Sequence, residues 1–200
     1  MSDPETLSVY AAKAVEYAKL TSGEKASGSL LRFIDGLPPG ARALDLGCGP
    51  GFAAGAMAAA GIEAHAWDPV AEMMAMAAAR DGVIARQAVY ADLTEVSAYD
   101  GIWCNFSMLH TPLADWPGQF EAIRRALKPG GLMHFGTKLG TGEARDRIGR
   151  LYSFMSEGAL NELLAQTGFE TEYTHTGEEA GLSGEVAPFI LIQARTQKDA

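Results

Sequence analysis

Between Ala43 and Phe52 the chain reads Ala-Leu-Asp-Leu-Gly-Cys-Gly-Pro-Gly-Phe, a short apolar run ending in an acid and three alternating glycines. This order predicts a strand over Arg42–Leu46, a tight loop, and a small-residue helix over Phe52–Ala60 closed by Gly61. Gly47, Gly49 and Gly51 carry no Cβ, so a ligand can approach the loop backbone closely. Asp45 narrows that ligand, because its charge would repel a pyrophosphate. Phe52 stands where the dinucleotide fingerprint needs its third glycine, and no Gly-Lys-Ser/Thr follows to make a triphosphate loop.

The surrounding pattern alternates strands and helices. Strands are expected at Ile62–Trp67, Val83–Ala88, Tyr99–Asn105 and Leu132–Lys138. Helices are expected at Leu7–Leu20, broken by Thr21-Ser22-Gly23, at Ser29–Leu37 and at Val70–Arg80. A further helix carries Trp116, Phe120, Ile123 and Leu127 on one face and stops at Lys128-Pro129-Gly130-Gly131. Ser156 is the expected cap of a helix running to Gln166 and closed by Gly168. Two last strands, Phe169–Thr176 and Ala187–Arg195, have no helix between them and are expected to pair antiparallel at a sheet edge. The fold class is therefore α/β: a Rossmann-like doubly wound sheet of seven strands, mostly parallel, with helices on both faces. At 200 residues one domain is expected, with an N-terminal helical part (1–37), a core (42–138) and a C-terminal segment (139–200).

In such a sheet ligands sit at the carboxyl ends of the strands. There the sequence places Asp45 with the glycine loop, Asp68, Asp92 and the run Asn105–His110. A cationic ligand carrying a ribose fits three carboxylates, and Asp68 lies about 20 residues past the loop, where an acid accepts ribose hydroxyls. Here the chain resembles the class I S-adenosylmethionine-dependent methyltransferases of small-metabolite type, as in quinone biosynthesis and tellurite resistance. The resemblance rests on Asp45-Leu46-Gly47-Cys48-Gly49-Pro50-Gly51, Ala66-Trp67-Asp68-Pro69 with Met73 and Met74, Ala91-Asp92-Leu93, Asn105-Phe106-Ser107-Met108-Leu109-His110, and Leu127-Lys128-Pro129-Gly130-Gly131.

That resemblance implies roles. S-adenosylmethionine would be the cofactor and S-adenosylhomocysteine its product. The Gly47–Gly51 backbone, with Cys48 and Pro50, would pass beside the methionine moiety, and Asp45 would act near its ammonium group. Asp68 would take the ribose hydroxyls, Asp92 and Leu93 the adenine amino edge, and Pro69 and Met73 the adenine face. Asn105 and Phe106 would line the crevice. The family's N-terminal lid would bring Tyr10 and Tyr17, with Thr6 or Lys13 nearby, over the substrate, opposite His110, Lys138, Arg145, Arg147, Arg150 and Tyr152. His110 is the candidate base, against a structural role in shaping the site. The arginines suggest an anionic substrate.

Other candidates have plainer readings. Cys104 and His134 read as core residues, Asp100 as a surface or turn residue, and Cys48 as a loop filler without nucleophilic function. The net charge of −9 argues against a nucleic-acid partner. Two cysteines without metal-type spacing suggest a reducing compartment, and without the paired acids of a magnesium-dependent catechol site no metal is expected. With no signal-peptide pattern or membrane-spanning run, a cytoplasmic location without membrane contact is expected, as a monomer or homodimer acting on a small molecule. The competing readings are a cofactor-binding module without turnover, a tRNA or protein methyltransferase, and a nucleotide-dependent reductase.

Overall fold

A computed structural model describes residues 3–21 and 27–197. Its strands are β1 (Arg42–Leu46), β2 (Glu63–Asp68), β3 (Val83–Gln87), β4 (Tyr99–Asn105), β5 (Leu127–Lys138), β6 (Gly142–Arg145), β7 (Leu151–Phe154), β8 (Phe169–Ala180) and β9 (Val186–Thr196). Its helices are α1 (Pro4–Ala12), α2 (Ala14–Thr21), α3 (Gly28–Asp35), α4 (Phe52–Ala59), α5 (Ala71–Ala78), α6 (Trp116–Ala126) and α7 (Glu157–Gln166). Seven strands form one sheet in the order β3-β2-β1-β4-β5-β9-β8. β1 through β5 run parallel, and β9 pairs antiparallel with both β5 and β8. This is the expected doubly wound sheet with its antiparallel C-terminal edge.

Side-chain alternation along the strands builds two cores. Leu44 and Leu46 of β1, Ile102 and Cys104 of β4, and Met133 and Phe135 of β5 face α6 and α7, meeting Trp116, Phe120 and Leu160. The intervening residues Ala43, Trp103 and Leu132 face α3 and α4, meeting Phe33, Ala54 and Met57. His134 belongs to this second core. It stacks on Trp103 with centroids 3.6 Å apart, and burial holds its pKa down at about 3, so it is a neutral packing residue as expected.

Element ends shift by up to four residues from the sequence reading, and three larger differences bear on the site. The single helix expected over Leu7–Leu20 is two, parted at Lys13, which leaves the helical conformation at φ −109°. Ser22 and Gly23 of its expected stop lie outside the described residues. β5 begins at Leu127, not Leu132: Leu127 already pairs with Tyr99, and the Pro129-Gly130-Gly131 turn bulges out before Leu132 meets Gly101. The polar stretch after β5 is an antiparallel hairpin, β6 on β7, which alternation-based reading missed because all four β6 residues are exposed. The caps are as expected: Ser156 accepts from the Ala159 amide at 3.3 Å, and Gly168 closes α7 at φ +83°. Among the described residues no helix is long and apolar enough to cross a membrane.

Candidate active site

The loop between β1 and α4 is held from below. The amides of Gly47 and Cys48 both donate to the Trp67 carbonyl at 2.8 and 2.9 Å, and the Gly51 amide donates to the Cys48 carbonyl. Gly47 sits at φ +77°, where a Cβ would run into the Ser107 side chain. Gly51 sits at φ +75°, where a Cβ would lie 2.8 Å from that of Ala77. Both positions therefore need glycine on two counts. Gly47→Ala is expected to cost about 1–2 kcal/mol in backbone strain before the collision is added. It should weaken S-adenosylhomocysteine binding at least about tenfold by calorimetry. Adding Ser107→Gly should restore part of that loss by removing the collision alone.

Two acids organise the loop. The Asp68 carboxylate accepts from the Gly49 amide at 3.0 Å and from the Val70 amide at 2.9 Å, tying the loop to the start of α5. Asp45 accepts from the Ala54 amide at 3.1 Å, inside the first turn of α4. Burial pushes Asp45 up to about 7, partly offset by the Ala54 bond, and pushes Asp68 up to about 6, partly offset by its two amides. Two buried carboxylates that have no cationic partner among the described residues, beside a glycine cradle, suit a ligand that brings positive charge. Such a cation would pull both pKa values down and expel protons. Affinity for S-adenosylmethionine should therefore fall as pH drops from about 7.5 to 5.5, by up to roughly tenfold per unit for each proton released. Asp45→Asn should flatten that dependence, as read by calorimetry in buffers of different ionisation enthalpy.

Burial, with the charges of Asp45 and Asp68, raises the Cys48 thiol well above its usual range, which fits the reading of no nucleophile there.

Three cavities meet at this end of the sheet. A narrow one is lined by Gly47, Gly49, Asp68, Pro69, Met73, Tyr90, Phe106 and Ser107. A second, of about 210 Å³, is lined by Asp45, Cys48, Pro50 and Phe52. The third is a cleft of about 630 Å³ that takes in Lys138, Arg150, Tyr152 and Phe189. Tyr17 and Asn105 line all three, and Tyr10, Phe106 and His110 line both the first and the third. Phe106 holds φ +50°, a conformation rare for an aromatic residue, at this junction.

A chain of hydrogen bonds closes the junction from above. The Arg150 guanidinium is buried, binds Asp146 through two nitrogens at 2.7 and 3.0 Å, and donates to the Tyr10 hydroxyl at 2.7 Å. Tyr10 in turn lies 2.9 Å from His110 Nε2. His110 Nδ1 is 2.6 Å from the Leu151 carbonyl. A carbonyl only accepts, so Nδ1 carries the hydrogen and Tyr10 donates to Nε2. Burial, with Arg150 beside it, holds His110 down at about 4 and hence neutral, against the pull of the Leu151 bond. Helix α1 is pinned to the β6–β7 hairpin by the Leu151 amide on Thr6 Oγ1 at 2.8 Å and by Arg145 on Asp3.

Several sequence candidates stand elsewhere. Asp92 is exposed and accepts from the Val89 amide at 2.9 Å, bracing the turn whose Val89 and Tyr90 face the narrow cavity. Leu93 is buried in the α6-side core. Gly51 turns into α4 behind the loop. Arg147 is exposed, Arg145 is spent on Asp3, and Lys13 pairs with Glu16 at the surface. Ser107 and Tyr90 went unmarked in the sequence. Ser107 Oγ donates to the Leu46 carbonyl and meets the Tyr90 hydroxyl at 2.7 Å, locking β1, β4 and the Tyr90 turn together. Both lie inside or beside quoted motifs, but only the crossing of the three segments reveals their use. Among the described residues no cluster of His, Cys, Asp and Glu could hold a metal ion.

Sheet order, glycine cradle and strand-end acids together define the class I S-adenosylmethionine-dependent methyltransferases. The chain belongs to the methyltransferase domain family, whose model matches residues 17–174. It is similar to the ubiquinone biosynthesis O-methyltransferase of Paracidovorax citrulli, with 35% identity over 117 residues. That match covers 54% of this chain and spans about half (48%) of the relative's length. Among solved structures it is similar to the 1,6-didemethyltoxoflavin-N1-methyltransferase of Burkholderia thailandensis bound to 1,6-didemethyltoxoflavin and S-adenosylhomocysteine. The TM-score is 0.77 at 19% identity, over 97% of this chain and 88% of that one. A Haloferax volcanii protein solved in complex with the Trm112 methyltransferase activator matches with TM-score 0.77 at 17% identity, over 98% and 99% of the two chains.

Proposed function

We propose that this chain transfers a methyl group from S-adenosylmethionine to a nucleophilic atom of a small molecule held in the 630 Å³ cleft. The observation that carries the reading is the junction: Tyr17 and Asn105 line both halves of the cofactor crevice and the cleft, so the two ligands meet there. S-adenosylmethionine supplies an already electrophilic methyl group, so the protein's task is alignment, exclusion of water and removal of a proton.

Asp45 faces the cofactor's ammonium group and Asp68 its ribose hydroxyls. The Gly47–Gly51 backbone follows the methionine moiety, with Pro69 and Met73 against the adenine ring. Asp92 supports the adenine end through the Val89 amide it holds. The acceptor's proton passes to the Tyr10 oxygen as the Tyr10 hydrogen passes to His110 Nε2, so the pair ends one proton richer, as a neutral tyrosine and an imidazolium that gives the proton up to solvent before the next turnover. A small acceptor agrees with the cleft, whose volume is that of an ordinary ligand site. The named ubiquinone and toxoflavin enzymes also point to small molecules.

Calorimetry with S-adenosylmethionine, S-adenosylhomocysteine and NAD(P), followed by label transfer from S-adenosylmethionine to a panel of small hydroxyl, amine and thiol acceptors, tests this. Tight NAD(P) binding with no affinity for the first two would remove the reading. Cofactor binding with no labelled product would leave a non-catalytic module, and label in extract that nuclease or protease abolishes would point to a macromolecular substrate.

A further inference from the structure

Lys138 ends β5 at the floor of the cleft, and its side chain is only 6% exposed. Its polar contacts among the described residues are with Glu179, at 3.3 Å to the carbonyl and 3.4 Å to the carboxylate. Charge-assisted bonds are normally near 2.7–2.9 Å, so this ammonium is buried but weakly held. The Glu179 side chain is 46% exposed and can turn to solvent. The ammonium lies 5.4 Å from the Phe106 ring and 5.8 Å from the Phe189 ring, which meet edge to face at 5.9 Å. Tyr152 lines the same cleft, with the Arg150 guanidinium 5.1 Å from its ring.

We infer that Lys138 is the anchor for the acceptor's negative charge, and that the acceptor is a planar aromatic acid whose carboxylate displaces Glu179 and whose ring lies among Phe106, Phe189 and Tyr152. The inference rests on the methyl-transfer reading for the word acceptor, but the anion site stands on the cleft alone. It replaces Arg147, which the sequence suggested for this charge and which the fold leaves outside. Glu179 occupies the position the incoming carboxylate takes, at the length of a contact not optimised for its own sake. The Lys138 side chain itself is only 6% exposed, which strengthens the pair relative to a surface salt bridge.

Binding of three probes to the S-adenosylhomocysteine complex tests this by calorimetry: 2-naphthoate, its neutral amide 2-naphthamide, and the flexible anion octanoate. Naphthoate should bind at least about tenfold more tightly than the amide and more tightly than octanoate. Lys138→Met should remove the preference over the amide while leaving S-adenosylhomocysteine affinity within about twofold. Glu179→Gln, at an exposed side chain, should tighten naphthoate a few-fold by removing the internal competitor. A structural Lys138–Glu179 tie would instead lower the melting temperature in both variants without changing probe preference. Equal binding of naphthoate and naphthamide, no effect of either variant on it, or no binding of naphthoate at millimolar concentration overturns the inference. Failure of S-adenosylhomocysteine to bind at all is a separate result that strikes the methyl-transfer reading, and the probes are then measured on the free protein.

Discussion

Replacing Tyr10 with phenylalanine is expected to lower kcat by roughly 10²–10⁴-fold on an acceptor that carries a proton at the assay pH, with KM changed much less. The Tyr10 oxygen at the cavity junction is bonded both to a cation, Arg150, and to a neutral imidazole acceptor, His110. Without it the acceptor's proton has no path to Nε2. His110→Gln should produce a loss of similar order while leaving cofactor binding intact. The discriminating measurement uses an acceptor analogue already ionised at the assay pH, which needs no base. If both variants lose as much on that analogue as on the protonated one, the pair shapes the site rather than moving a proton. Because burial holds His110 down at about 4, kcat at saturating S-adenosylmethionine should show no inflection near 6.5 and should fall only below about pH 5.

Arg150→Met is expected to destabilise the protein by about 3 kcal/mol. Arg150 and Asp146 side chains are 2% and 6% exposed, so removing the cation strands a buried carboxylate, a loss of about 3–5 kcal/mol. The lower end applies because the amides of Ile148 and Arg150 still donate to Asp146 at 3.1 and 3.0 Å. In a chain of this size the melting temperature should fall by roughly 10 °C. Asp146→Asn combined with Arg150→Met should recover much of it, since neither charge is then left alone. The single variant also removes the Arg150 bond to Tyr10, so α1 should become more open to proteolysis, while Tyr10 keeps its bond to His110 and Thr6 and Asp3 keep theirs to the hairpin. An unchanged melting temperature in the single variant would mean that this ion pair adds nothing to the fold.

The core of the fold was legible because it is local. Residues 42–46, 63–68, 83–87 and 99–105 are apolar runs bounded by acids, glycines or polar turns, and each became a parallel strand. The places of Asp45, Asp68 and Pro69 were legible because strand-end position is set by the strand itself, and Met73 follows in the first turn of α5. Where the reading slipped, the cause was tertiary. Leu127 joined β5 because Tyr99 of β4 stood beside it, and a helix-stop signal cannot report that. The β6–β7 hairpin has an exposed face without alternation, and it is fixed by what it touches: Thr6, Asp3 and His110.

The sequence by itself determined the glycine loop, the acids around it and therefore the cofactor class, since backbone conformation at Gly47 and Gly51 and the charge of Asp45 and Asp68 are properties of short segments. Tertiary structure alone decided the substrate side. Tyr10 and Arg150 lie 140 residues apart, Tyr10 and His110 lie 100 apart, and Lys138 meets Glu179 across 41. No periodicity links such positions. They meet because α1 lies across the carboxyl ends of the strands, the hairpin after β5 folds back beneath it, and β8 with β9 closes the far wall of the cleft.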